Sequence, residues 1–141
     1  MTTPTTANDA NGFVSLVLVS HSAAIAEGLA ELVAQVAGPS VPIVAAGGGP
    51  DGSFGTDGTR VLAALRQASG GSGAVVLMDI GSAVLSVRAA LEELGPEARS
   101  IEVADAPFVE GAIAAGVTAS TGGSREDVAA AAREARGTAK L

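Results

Sequence analysis

FVSLVLVSHS, residues 13–22, passes from a β-branched, leucine-rich run straight into a segment of helical periodicity that begins at Ala23. Such a run reads as a buried parallel strand feeding a helix. The junction carries His21, the only histidine in the chain, at the carboxyl end of the strand and the amino end of the helix. Open α/β sheets place their ligands at this edge. His21 is therefore a candidate nucleophile that accepts a phosphoryl group, and a histidine that merely satisfies a turn is the competing reading.

The same alternation continues along the chain. Ile25, Leu29, Leu32, Val33 and Val36 recur at spacings of three and four, which predicts a helix burying that stripe and ending at Gly38-Pro39. Residues 41–46 predict a short strand whose Pro42 favours an edge position. Val61, Leu62 and Leu65 mark a second helix that stops in the breaker cluster of residues 69–73. The fully apolar residues 74–78, followed by Asp79, have the pattern of a central parallel strand buried on both faces. A third helix through Val84, Val87, Leu91 and Leu94 closes at Gly95-Pro96, and residues 101–104 form a weaker strand. Pro107 suits the first turn of a fourth helix through Phe108, Val109, Ala112, Ile113 and Val117. Ser124 with Asp127 three residues on resembles a capping box for a last, alanine-rich helix. Strands alternating with helices predict an α/β architecture, a mainly parallel sheet covered by helices on both faces. Right-handed crossovers then bring the strand ends at His21, Gly47 and Asp79 to one edge.

Composition narrows the function. The 141 residues suit one domain, read as residues 13–136 between a polar, disordered leader over 1–12 and a tail over 137–141. The chain has no cysteine, which removes disulfides and thiol catalysis, and a single histidine argues against a zinc site. A net charge of −7 with scattered arginines argues against a nucleic-acid surface and favours basic protein partners. No apolar run is long enough to span a bilayer and the amino terminus lacks the basic start of a signal peptide, so a cytoplasmic protein without membrane contact is expected.

Residues 47–52, GGGPDG, fit G-x-G-x-x-G after a strand. The dinucleotide reading fails because Ser53, Phe54 and Gly55 extend the loop where a helix should open. A P-loop fails too, since the only lysine is Lys140. What survives is a glycine-rich loop whose amides could wrap a phosphoryl group, with Ser53 and Thr56 as hydroxyl donors, or else a flexible linker. Asp51 and Asp57 are awkward for an anion and would have to point outward or position another group. Asp79 either caps the following turn or accepts a hydrogen bond from one ring nitrogen of His21 and aims the other outward. Val84 and Leu85 are candidates for a partner-docking surface, with core burial the competing reading, above all for Val84.

SLVLVSHS, EGLAELVAQV, AAGGGPDGSFGTD, VVLMDIGSAVLS and APFVEGAIAA, in this order, resemble the phosphoryl donor subunits of dihydroxyacetone kinases that depend on the phosphoenolpyruvate phosphotransferase system, within the mannose-type EIIA superfamily. The resemblance runs from about Val14 to Ala135. It implies a sheet of order 2-1-3-4 with an antiparallel edge strand, a homodimer, and an acid-labile phosphohistidine at Nε2 of His21. It implies that His21 is charged by the histidine phosphocarrier protein and discharges to ADP held on the nucleotide-binding kinase subunit, with no cofactor or metal of its own. Asp79, Gly47, Gly48, Gly55 and Thr56 fall in motif positions around the active edge, with Ser22 beside the histidine. Two other readings stand beside it. One is a mannose-type EIIA charging a sugar permease, against which MDIGSA speaks; the other is a non-catalytic, receiver-like regulatory module, which lacks a lysine at the active edge.

Overall fold

The computed structural model describes residues 12–141, so the expected leader lies, save its last residue, outside the described residues. Four strands, β1 (Ser15–Ser20), β2 (Ile43–Gly47), β3 (Ala74–Met78) and β4 (Ile101–Val103), form one sheet of order β2-β1-β3-β4. All three pairings are parallel, and no antiparallel edge strand occurs among the described residues. The expected order 2-1-3-4 is the observed one. Five α-helices complete the alternation: α1 (Ala23–Ala37), α2 (Gly58–Ala68), α3 (Ser82–Leu94), α4 (Phe108–Ser120) and α5 (Arg125–Glu134).

The period-two alternation of each central strand builds two cores at once. Leu16, Leu18, Val75 and Leu77 point to the face covered by α1, α4 and α5. Val17, Val19, Ala74 and Val76 point to the face covered by α2 and α3. A sheet buried on both faces explains why residues 74–78 carry no polar position. Local chemistry fixes the ends of the helices. Ser22 caps α1 by accepting from the Ile25 amide, Asp57 caps α2 through the Thr59 amide, and Ser124 with Asp127 forms the expected capping box of α5. Pro107 sits at the N-cap of α4, one place before the first turn.

The buried stripe of α1 differs from the expected one. Ala26, Leu29 and Val33 face the core, whereas Ile25, Leu32 and Val36 are 52%, 47% and 50% exposed. Spacings of three and four select two neighbouring rows of a helix; of the expected stripe Leu29 and Val33 lie on the inner row, joined by Ala26. Packing on α4 is close along this row: a Cβ at Gly116 would lie 2.6 Å from Val33 Cγ1. Val109 and Val117 of α4 are likewise left largely in solvent. Among the described residues no helix is long and apolar enough to cross a membrane.

Candidate functional site

The carboxyl ends of β2, β1 and β3 bring Gly47, Ser20 and Asp79 side by side. Ser20 pairs with Gly47 in the β1–β2 register, and the Asp79 amide donates to the Val19 carbonyl at 3.1 Å. His21 follows Ser20 and is held from four directions. Its backbone N–H donates to Asp79 Oδ2 at 2.9 Å, and its carbonyl accepts from the Gly55 amide at 2.9 Å. Its ring Nδ1 lies 3.0 Å from Asp79 Oδ1, and Nε2 lies 2.6 Å from Ser82 Oγ. An ionised carboxylate can only accept, so Nδ1 carries the proton and donates. Nε2 is then a bare lone pair, and Ser82 donates its hydroxyl proton to it.

Asp79 is acceptor to four donors: His21 N–H and Ser20 Oγ on Oδ2, and His21 Nδ1 and the Ile80 amide on Oδ1. Burial of this carboxyl raises its pKa, but those hydrogen bonds outweigh burial and hold it below the ordinary carboxylate value. Ser20, fully buried, extends the network by accepting from the Ser22 amide at 3.0 Å while it donates to Asp79. The result is a fixed imidazole with one nitrogen locked inward and the other turned to a side chain that can swing away. It can act as a nucleophile without first losing a proton.

Of the glycine-loop residues, Gly47 has the clearest task. A Cβ there would fall 2.5 Å from the Ser22 carbonyl oxygen and 2.8 Å from Ala23 Cα, so only glycine lets β2 touch the start of α1. Gly47→Ala should force that helix start outward, at about 1–3 kcal/mol for overpacking, and should lower the melting temperature. An unchanged melting curve would show that α1 shifts freely. Gly48 donates its amide to Ser20 O at 3.2 Å and takes φ +88°, and Gly55 reaches His21 through its amide.

The loop hydroxyls are engaged elsewhere. Thr56 Oγ1 pairs with Ser86 Oγ on α3, Ser53 Oγ donates to Asp51, and Ser22 Oγ caps α1. Asp51 and Asp57 thus have local duties in the loop and at the α2 cap. Ser82 and Ser86, one helical turn apart on α3, were not singled out from the sequence; the available signal was a serine directly after the Gly81 turn and its repeat at four residues. Around this edge Phe54, Ile80 and Leu85 are 87%, 60% and 72% exposed, while Val84 is half-buried. This leaves Leu85, rather than Val84, with the exposure a docking surface requires.

Residues 15–129 match the EIIA-man family, described as the PTS system fructose IIA component. The phosphoryl donor subunit DhaM of the PEP-dependent dihydroxyacetone kinase 2 of Listeria innocua is 38% identical over 116 residues, 82% of this chain and 93% of that protein. The corresponding DhaM subunit of Escherichia coli is 42% identical over 113 residues, 77% of this chain but 24% of that longer protein. Thus the chain spans nearly all of the first relative's length and about a quarter of the second's. Among solved structures, EF1359, a protein of unknown function, superposes with a TM-score of 0.77 at 32% identity, covering 86% of this chain and 94% of that one.

Proposed function

Because this chain belongs to the EIIA-man family of PTS system fructose IIA components, we propose that it is the phosphocarrier subunit of a phosphoenolpyruvate-dependent dihydroxyacetone kinase, acting through a phosphohistidine at His21. The observation that carries the reading is the ring's geometry: Nδ1 is locked to Asp79 at 3.0 Å and Nε2 faces outward onto the Ser82 hydroxyl at 2.6 Å. Relatives named as phosphoryl donor subunits supply the pathway.

Chemically, the Nε2 lone pair attacks the phosphorus of a donor phosphohistidine, and the donor's P–N bond breaks. Nδ1 keeps its proton throughout, so the ring becomes positively charged beside the Asp79 carboxylate. That charge makes the ring a competent leaving group in the next transfer. For the phosphoryl group to enter, Ser82 must release Nε2, and its hydroxyl is then free to donate to a phosphoryl oxygen. The start of α3 carries no side-chain cap at Gly81; the Ala83 and Val84 amides donate to the Ile80 and Gly81 carbonyls, so the Ser82 amide and the helix dipole are what α3 offers the anion. Gly47, Gly48 and Gly55 shape the cradle through backbone contacts, Thr56 fixes it to α3 through Ser86, and Ser22 fixes the start of α1.

Phosphoryl transfer of this kind is mostly positioning and charge stabilisation, so the partner completes the site. The histidine phosphocarrier protein charges His21, and the ADP-loaded kinase subunit discharges it, both in the cytoplasm. Phe54, Ile80 and Leu85 form an apolar rim on which such partners can seat. The working unit is a homodimer, which sedimentation should reveal as twice the chain mass; a monomeric mass would remove that part of the reading. The central test incubates the protein with phosphoenolpyruvate, enzyme I and the histidine phosphocarrier, and measures acid-labile phosphate. Passage of that phosphate to an ADP-loaded kinase subunit, and not to a sugar permease domain, identifies the branch.

A further inference from the structure

We propose that Arg60 is a phosphate-binding residue for the acceptor, engaging the phosphates of the nucleoside diphosphate to which His21 discharges; the inference rests on the phosphocarrier reading above. Arg60 stands in the first turn of α2, three residues after the Asp57 cap. A cation there opposes the helix dipole, so helix stability does not account for it. Nor does an ion pair, since among the described residues no carboxylate lies within salt-bridge distance of its guanidinium. Among the described residues Arg125, Arg133, Arg136 and Lys140 are paired, with Glu102, Glu126, Asp105 or Glu110; Arg66, Arg88 and Arg99 form no ion pair either, but of the four unpaired arginines only Arg60 has its guanidinium anchored, at the ligand edge.

What holds Arg60 is a single hydrogen bond, Nη1 to the Gly47 carbonyl at 2.9 Å. That contact fixes the guanidinium at the ligand edge, against the residue that abuts the start of α1 behind His21. A guanidinium has five N–H donors, and the remaining ones meet no acceptor among the described residues. The residue is otherwise exposed. An exposed cation, anchored at one nitrogen with its fork left open, is suited to phosphate oxygens.

The sheet order decides which phosphate. Across the edge, Gly47 lies on the β2 side of His21, whereas Nε2 points to Ser82 on the β3 side. A lone phosphoryl group on Nε2 therefore sits on the opposite flank from Arg60. A ligand reaching both must extend across the edge, as the chain of phosphates in a nucleoside diphosphate does. In the discharge step the Nε2–P bond breaks and its electron pair stays on Nε2, while a terminal oxygen of the diphosphate forms the new P–O bond. Nδ1 retains its proton on Asp79, so no proton moves. The donor protein, carrying only a phosphohistidine, offers nothing comparable for Arg60 to hold.

The two half-reactions separate the roles. Full-length protein is charged by the histidine phosphocarrier, isolated, and mixed with ADP-loaded kinase subunit in a rapid-quench apparatus. Arg60→Ala should discharge about tenfold or more slowly, given the weight a single arginine carries in phosphoryl transfer, with charging within about twofold of wild type. Arg60→Lys should regain part of the discharge rate through its retained charge. Equal slowing of charging and discharge would assign Arg60 only to holding the loop and overturn the proposal, as would unaltered discharge in Arg60→Ala or an Arg60→Lys as slow as Arg60→Ala. A wild type that takes up no phosphate would overturn the phosphocarrier reading and this inference with it; normal charging confines any failure to Arg60.

Discussion

His21→Ala is expected to take up no acid-labile phosphate under conditions that fully label the wild type. Removing a nucleophile from a site whose parts act as a unit costs on the order of a million-fold, and nothing at this edge can replace it. Ser82 and Ser22 hold hydroxyls nearby, but the only group positioned to activate Ser82 is the His21 ring itself, and Ser22 Oγ is committed to the α1 cap. The loss should be chemical and not structural. The His21 backbone N–H still donates to Asp79 and its carbonyl still accepts from Gly55. Asp79 keeps three of its four donors, and the ring that disappears is about a quarter exposed. Melting temperature should therefore move little while labelling vanishes. Equal labelling of wild type and variant would sink the assignment of His21, and loss of both labelling and cooperative melting would reduce it to a structural residue.

The parts of this architecture that were legible in the sequence are those whose signal is local. The apolar run of residues 13–19 followed at once by a helical period, the uniformly apolar residues 74–78, and the Ser124–Asp127 box each specify one element by its own chemistry. The convergence of His21, Gly47 and Asp79 followed from topology, because right-handed parallel crossovers leave every strand end at the same edge. What stayed hidden depends on the distance between elements. Ile25, Leu32 and Val36 have the spacing of a core stripe, but which of two rows goes inside depends on how α1 packs on α4, where Gly116 meets Val33. Side-chain direction was hidden for the same reason. Thr56 has the residue type and place of a phosphate donor, yet its hydroxyl meets Ser86, thirty residues away, and the partner of Nε2 is Ser82, which sequence patterning did not single out. Polar pairing across elements carries no period, so it leaves no pattern to read.

Asp79→Asn should slow phosphate uptake by about 10²–10⁴-fold, the range in which loss of an orienting carboxylate beside a catalytic histidine falls. The isosteric amide fails here for a reason specific to this pocket. Oδ1 receives Nδ1 of His21 and the Ile80 amide, and Oδ2 receives the His21 amide and the Ser20 hydroxyl. Each oxygen thus faces a backbone N–H that cannot turn. Whichever way the asparagine lies, its NH₂ group confronts a donor. With NH₂ in the Oδ1 place, it donates to Nδ1, shifts the proton to Nε2 and blocks the attacking lone pair; with NH₂ in the Oδ2 place, it opposes the His21 amide and displaces the residue that carries the ring. The carboxylate's charge, which faces the ring as it becomes positive, is lost in both cases.

Stability gives an independent readout. Asp79 has its pKa held below the ordinary carboxylate value in the folded protein, so its contribution is present above the unfolded value near 3.8 and disappears as pH falls through the lowered folded value. The asparagine variant has no such titration. The gap in melting temperature between wild type and Asp79→Asn should therefore be widest near neutrality and close on acidification below about pH 4. If uptake is unimpaired while the melting gap behaves this way, Asp79 serves the turn alone; if uptake falls and the gap closes, one carboxylate both braces the strand end and sets the tautomer that makes His21 a nucleophile.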